Sequence, residues 1–245
     1  MLTCDALFKG DLVLYQQKTG YRFAIDAVLL AGLTKVHADD RIVDLGTGCG
    51  VIPLILAHRN LGRRILGLEI QPELVELAKR NVEVNGFVGK VEVHQEDFCN
   101  LPADFRPASF DLVISNPPYR RLRSGRLNPE GQRAIARHEL KSSLEDVMRV
   151  ASSLLCHGGR LSIIYPATRL VHLLVTAQTR FLTPKQLTVI HSDATSVARL
   201  VHLECRKGAG EELQIAPPLY IYREDKTYTE AVRRMYQEDE RKPDD

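Results

Sequence analysis

Arg41-Ile42-Val43-Asp44-Leu45-Gly46-Thr47-Gly48-Cys49-Gly50 is a short apolar strand that runs directly into three alternate glycines. A helix-like run, Val51 to Arg59, follows at once. Strand, glycine loop and helix in this order predict the first βα unit of a doubly wound α/β sheet, where ligands bind at the carboxyl ends of the strands. Glycines let the backbone turn sharply and let a ligand lie against it with no Cβ in the way. The spacing is G-x-G-x-G. The dinucleotide fingerprint asks for G-x-G-x-x-G, and Val51 stands where its last glycine would be. Asp44 sits just before the loop, and a carboxylate there suits a ligand carrying an ammonium and a sulfonium rather than a pyrophosphate.

Working outward, strand and helix signals alternate. Strands are predicted over Arg64 to Glu69, Val91 to Gln95, Phe110 to Ser115 and Arg160 to Tyr165. Helices are predicted over Pro72 to Asn85, with proline in its first turn and Asn85-Gly86 at its end, and over Thr168 to Arg180. Ser142-Ser143-Leu144-Glu145 reads as a capping box opening a helix to Cys156, stopped by Gly158-Gly159. Gln186 to His191 and Ala198 to Arg206 lack a helical crossover between them, so they predict an antiparallel hairpin closing one edge. The expected fold is a Rossmann-like, seven-stranded α/β sheet with that edge hairpin.

Before the core, Leu12 to Tyr15 and Tyr21 to Ile25 read as a short β-hairpin around Lys18-Thr19-Gly20, and Asp26 as the N-cap of a helix Ala27 to Thr34. The division expected is an N-terminal extension over 1–35, a core domain over 36–223, and a short helix with a charged tail over 224–245.

Bulk properties narrow the function classes. With 33 basic and 31 acidic residues the net charge is only +2, so a nucleic-acid surface has to be local. No secretory leader and no apolar run of membrane-spanning length is visible, so no membrane partner is expected and the cytoplasm is the default location. The five cysteines are scattered, without a C-x-x-C pair or clustered histidines, which argues against disulfides and against a metal site.

Asn116-Pro117-Pro118-Tyr119 follows the strand Phe110 to Ser115. An exocyclic amine on a base, or an amide nitrogen, is planar and a poor nucleophile because its lone pair is delocalised. The Asn116 side-chain oxygen and the Pro117 carbonyl can each accept one of its two hydrogens, which positions the nitrogen without a strong base. The prolines stiffen the loop and offer no N–H, and Tyr119 can stack on the ring that carries the nitrogen. Glu69 ends a strand nineteen residues after Gly50. It can accept from ribose hydroxyls, or it is an ordinary strand-end charge. Asp97 and Phe98 can meet an adenine ring, or form an Asp turn beside a core Phe. Glycine loop, Asp44 and Asn-Pro-Pro-Tyr together describe methyl transfer from S-adenosylmethionine to a planar nitrogen.

These residues resemble the class I S-adenosylmethionine-dependent methyltransferases. Asn116 to Tyr119 places the chain beside the amino methyltransferases that modify adenine N6, guanine N2 or glutamine N5. Tyr21 to Leu30, Arg137-His138-Glu139 and Pro217 to Tyr222 are similar to the bacterial tRNA1(Val) adenine N6-methyltransferase family, which methylates the adenosine 3′ to the anticodon. That resemblance implies tRNA as partner and S-adenosylmethionine as cofactor. It implies Asp26, Asp44, Gly46, Thr47, Gly48, Gly50, Glu69, Asp97, Phe98 and Asn116 around the cofactor, and Asn116, Pro117, Pro118 and Tyr119 around the target base.

Arg120, Arg121, Arg123, Arg126, Arg133 and Arg137 crowd the segment after this motif. They are candidates to grip phosphates, or form a solvated basic loop. Two rival readings use the same motifs: a glutamine N5-methyltransferase acting on a release factor, and a non-catalytic cofactor- or RNA-binding module. The former usually carries a helical N-terminal domain, and only about forty residues precede the first core strand here. The oligomeric state is not set by the sequence.

Overall fold

A computed structural model describes residues 2–18, 24–102, 105, 107–117 and 143–236. Among the described residues, seven long strands build the central sheet: β3 (Arg41–Leu45), β4 (Arg64–Glu69), β5 (Val91–Gln95), β6 (Phe110–Ser115), β7 (Leu155–Pro166), β8 (Leu182–His191) and β9 (Ala198–Lys207). Their order across the sheet is β5-β4-β3-β6-β7-β9-β8. β5 to β7 in this order pair parallel, and β9 runs antiparallel between β7 and β8. Two-residue strands, β10 (Gln214–Ile215) and β11 (Leu219–Tyr220), pair with the outer side of β8 and bring the sheet to nine strands among the described residues. The doubly wound sheet expected from the sequence is present, and its antiparallel hairpin lies at one edge with the second strand tucked inward.

Helices cover both faces. Alternate residues of β3 part company: Ile42 joins a core with α1 (Ile25–Leu33), α2 (Val51–His58) and α3 (Pro72–Val84). Val43 and Leu45 join a second core with α4 (Leu144–Leu154) and α5 (Leu170–Gln178). Asp44 therefore faces the α1–α3 side. A last helix, α6 (Glu230–Tyr236), lies against α1, where Met235 fills the space beside Gly32 so closely that a Cβ there would stand 2.5 Å from its Cγ.

The N-terminal hairpin is real, but its strands differ from those expected. β1 (Leu2–Leu7) pairs with β2 (Leu12–Gln17) through a turn at Phe8–Gly10, where Lys9 and Gly10 take positive φ. Leu12 and Leu14 alternate into the α1–α3 core, so β2 is half of a hairpin made with the chain before it. Ile25 opens α1 instead of closing a strand, and residues 19–23 lie outside the described residues. Ala24 occupies the N-cap position of α1. Asp26 is one turn-position inside the helix, where its charge favours the helix N-terminus without capping it.

Two further boundaries shift. The capping box of α4 is Ser143 with Asp146, one residue later than expected: Ser143 Oγ accepts from the Asp146 N–H at 3.2 Å, and the Asp146 carboxylate accepts from the Ser143 N–H at 3.1 Å. α4 ends at Leu154 because Leu155 turns extended, and Gly158 and Gly159 lie inside β7 at a register break against β6 rather than at the helix end. Among the described residues, no helix is long and apolar enough to cross a membrane.

Candidate active site

The carboxyl ends of four neighbouring strands stop at one level. Leu45 stands opposite Leu68 on β4 and opposite Ser115 on β6, while Glu69 stands opposite Gln95 on β5. Gly46, Glu69, Glu96 and Asn116 therefore leave the sheet along one rim, at the point where the chain winds to either side of β3. This is where the sequence places its candidate residues.

The glycine loop is held from the sheet side. The N–H groups of Gly46 and Thr47 both donate to the Leu68 carbonyl, at 2.9 and 3.0 Å. Gly46, Gly48 and Gly50 take φ of +77°, +59° and +85°, a region that residues with a Cβ rarely adopt. A Cβ on Gly46 would meet nothing within 4 Å among the described residues, whereas one on Gly50 would come within 3.3 Å of Ala78 Cβ. Gly46 thus leaves room for a ligand, and Gly50 lets α2 and α3 approach. Gly67 has a related role: a Cβ there would strike Thr47 Cγ2 at 2.8 Å.

Asp44 is 1 % exposed, and among the described residues neither carboxylate oxygen has a hydrogen-bond partner. Burial lifts its pKa to about 7. The Thr47 hydroxyl lies near enough to offset part of that rise, though outside hydrogen-bonding geometry, and the Glu69 charge adds to it. Buried polar groups are normally satisfied, so a bare carboxylate under an open loop marks a place built for a cationic or N–H-rich ligand.

Glu69 shows a role that the sequence reading missed. One carboxylate oxygen accepts from the Gly48 N–H at 2.9 Å and the other from the Gln71 N–H at 3.0 Å. The side chain pins the glycine loop to the start of α3, and each oxygen keeps a lone pair for a further donor. Asp97 caps its own turn: it accepts from the Cys99 N–H at 3.0 Å and from the Asn100 amide at 2.9 Å. Phe98 is half-buried against the α4–α5 core. Ser115, wholly buried, donates to the Leu45 carbonyl at 3.0 Å and so ties the last residue of β6 to the last residue of β3. Asn116 follows half-buried and Pro117 buried.

Pro118, Tyr119, Arg120, Arg121, Arg123 and Arg126 lie outside the described residues, as do Arg137, His138 and Glu139. Among the described residues no disulfide joins any of the five cysteines, and no group of three or more His, Cys, Asp or Glu side chains is arranged to hold a metal ion.

The strand order and the helices on both faces are those of a Rossmann-like methyltransferase fold. Residues 36–236 match a family model described as a methyltransferase domain. The chain is 35 % identical over 177 residues to a tRNA1(Val) (adenine(37)-N6)-methyltransferase of Porphyromonas gingivalis, covering 70 % of this chain and 69 % of that one. It is 30 % identical to one of the same name from Bacteroides thetaiotaomicron, covering 92 % of this chain and 94 % of that one. A solved structure described as a predicted O-methyltransferase from Agrobacterium tumefaciens superposes with a TM-score of 0.69 at 24 % identity, over 86 % of this chain and 95 % of that one, a likeness of fold. The chain belongs to the methyltransferase-domain family, among the tRNA1(Val) (adenine(37)-N6)-methyltransferases.

Proposed function

We propose that this chain methylates the exocyclic N6 of adenine in tRNA, at the position next to the anticodon, with S-adenosylmethionine as methyl donor. The observation that carries the reading is the pairing of Leu45 with Ser115, from which the glycine loop and Asn116 depart side by side. The names of the curated relatives supply the substrate class.

The residues present fit the donor. Asp44, whose buried carboxylate has no partner among the described residues, would face its ammonium end, and no described residue fills the open side of Gly46 along the loop. Glu69 would accept from the ribose hydroxyls with the lone pairs its two backbone contacts leave free. Asp97 and Phe98 would border the adenine, with Asp26, Thr47, Gly48 and Gly50 completing the surround. When bound, the group supplies an electrophilic methyl on a sulfonium.

The chain's own task is to hold the nitrogen. The Asn116 amide oxygen and the Pro117 carbonyl accept its two hydrogens and aim its lone pair at the donor, and the fixed acceptors favour the pyramidal geometry of attack. On sequence alone, Pro118 stiffens this loop, Tyr119 stacks on the base, and Arg120, Arg121, Arg123 and Arg126 bind phosphates. Residues 36–223 would form the catalytic domain, with 1–35 an extension and 224–245 a terminal helix and tail. The cytoplasm is the proposed compartment.

The test is transfer of labelled methyl to unmodified tRNA transcripts, with a release factor as parallel acceptor, followed by digestion and mass identification. N6-methyladenosine from a tRNA, lost in Asn116→Ala, is the expected result. Label on the release factor alone would move the chain to the protein-methylating branch. Label on neither would leave the non-catalytic reading.

A further inference from the structure

Helix α3 and its C-cap supply two asparagines one turn apart, Asn81 and Asn85, which do for β2 what a neighbouring strand would do. The Tyr15 N–H donates to Asn81 Oδ1 at 2.8 Å, and Asn81 Nδ2 donates back to the Tyr15 carbonyl at 3.0 Å. Asn85 repeats this two residues along: the Val13 N–H donates to its Oδ1 at 2.9 Å, and its Nδ2 donates to the Val13 carbonyl at 2.7 Å. Residues 13 and 15 are alternate positions of an edge strand whose other edge is paired to β1, so their free backbone groups point the same way, toward α3.

The two amides differ in their remaining hydrogen. Asn85 Nδ2 gives its second bond to the Asn81 carbonyl, within the helix. Asn81 Nδ2 gives its second bond to the Cys49 carbonyl at 3.0 Å, inside the glycine loop between Gly48 and Gly50. Asn81 is 0 % exposed, so no water competes for those contacts. Tyr15, an N–H donor on one side and a carbonyl on the other, fixes which way the amide faces. The loop is thus held at Gly46 and Thr47 by Leu68, at Gly48 by Glu69 and at Cys49 by Asn81.

We propose that Asn81 is a positioning residue for the cofactor loop, and that through it the N-terminal hairpin helps set the affinity for S-adenosylmethionine. The hairpin lies outside the span matched by the family model, yet one buried amide joins its backbone to the backbone of the loop. The inference rests on the cofactor reading above. Losing the Asn81 amide frees the Cys49 carbonyl, and the loop no longer has its third anchor.

The experiment compares Asn81→Ala with Asn85→Ala. Each removes an amide that binds β2 from the same helix, but only the first touches the loop. In Asn81→Ala, the Gly48 and Gly50 amides should exchange hydrogen about tenfold faster without cofactor, and the Kd for S-adenosylmethionine, by calorimetry, should rise about tenfold, the scale of one lost hydrogen bond. KM for S-adenosylmethionine should rise while KM for tRNA stays. Asn85→Ala should lower Tm comparably and leave Kd and loop exchange within about twofold. Equal effects of the two variants, or no effect of Asn81→Ala on the loop, would overturn the proposal.

If Asn81→Ala does not fold, the unaltered protein decides the matter. The Asn81 side-chain amide hydrogens should exchange more slowly once S-adenosylmethionine is added, and those of Asn85 should not; no difference overturns the inference. An unaltered protein that binds no S-adenosylmethionine would sink the cofactor reading, and loop exchange in the two variants would still show whether Asn81 anchors the loop.

Discussion

Ser115 Oγ donates a 3.0 Å hydrogen bond to the Leu45 carbonyl, joining the last residues of two adjacent parallel strands. Asn116 begins one residue after the donor and Gly46 one residue after the acceptor. This bond fixes the offset between the residue proposed to hold the amine and the loop proposed to hold the donor. Ser115→Ala should lower kcat about tenfold while leaving the Kd for S-adenosylmethionine unchanged, since misplacement of a reacting group acts on the rate more than on cofactor binding. Steady-state kinetics and calorimetry on the same preparation would separate the two.

Asp44 gives a pH signature. Burial raises its pKa in the folded chain to about 7, above the ordinary carboxylate value, so the folded state holds a proton that the unfolded state has lost. Its contribution is therefore fully present below about pH 4 and is lost as pH rises through about 7. Asp44→Asn should raise Tm of the cofactor-free protein at pH 8 and leave it little changed at pH 4. It should also abolish cofactor binding, which in the unaltered protein should release a fraction of a proton near pH 7, measurable by calorimetry in buffers of different ionisation enthalpy.

His202 has the opposite sign. Buried on β9, it bonds Ser162 Oγ through Nε2 at 2.8 Å, and burial lowers its pKa to about 4. The unfolded chain takes up a proton below about 6.5 that the folded chain refuses. Stability from this group is present above that value and is lost as pH falls through about 4. His202→Leu should flatten the dependence of Tm on pH between 4 and 6.5, and Ser162 keeps its bond to Thr34.

The glycines separate fold from site. Gly50→Ala places a Cβ against Ala78 at positive φ and should destabilise by about 1–2 kcal/mol or more. Gly46→Ala meets no atom of the described residues within 4 Å. It should cost only about 1–2 kcal/mol of backbone strain, while weakening cofactor binding disproportionately. Chemical denaturation and calorimetry together would tell the two apart.

Glu69→Gln would turn an amide NH₂ toward either the Gly48 or the Gln71 N–H, which both now donate to the carboxylate. A donor facing a donor in a buried site should cost about 1–3 kcal/mol of stability and at least tenfold in cofactor affinity. A Gln variant with unaltered affinity would remove Glu69 from the loop's support.

The sheet was legible because its strands are apolar runs bounded by glycine, proline or charge. Arg41–Leu45, Arg64–Glu69, Val91–Gln95 and Phe110–Ser115 begin and end where periodicity puts them. The hairpin is present with a different partner strand, because Leu12 to Tyr15 signals a strand but not what it pairs with. The choice of Leu2–Leu7 is made by the Lys9-Gly10 turn and by burial of Leu12 and Leu14. β10 and β11 are too short to carry a periodic signal and exist by pairing with β8. Spacing singles out Asp44 and Gly46, and the structure sets both at the carboxyl end of β3. The supports carry no such signal: Asn81 and Asn85 look like ordinary polar residues near a helix end, and only tertiary structure brings them to β2 and to Cys49.

The inward position of β9 makes completion of the sheet a late event in synthesis. As the chain leaves the ribosome, β7 and then β8 emerge before the strand that must sit between them. Until Ala198–Lys207 follows, β7 shows an unpaired edge and β8 has no long neighbour to join. A nascent or truncated chain ending before residue 198 thus leaves one side of β7 open to pairing with another chain, while β3 to β6, which carry the candidate site, are already made.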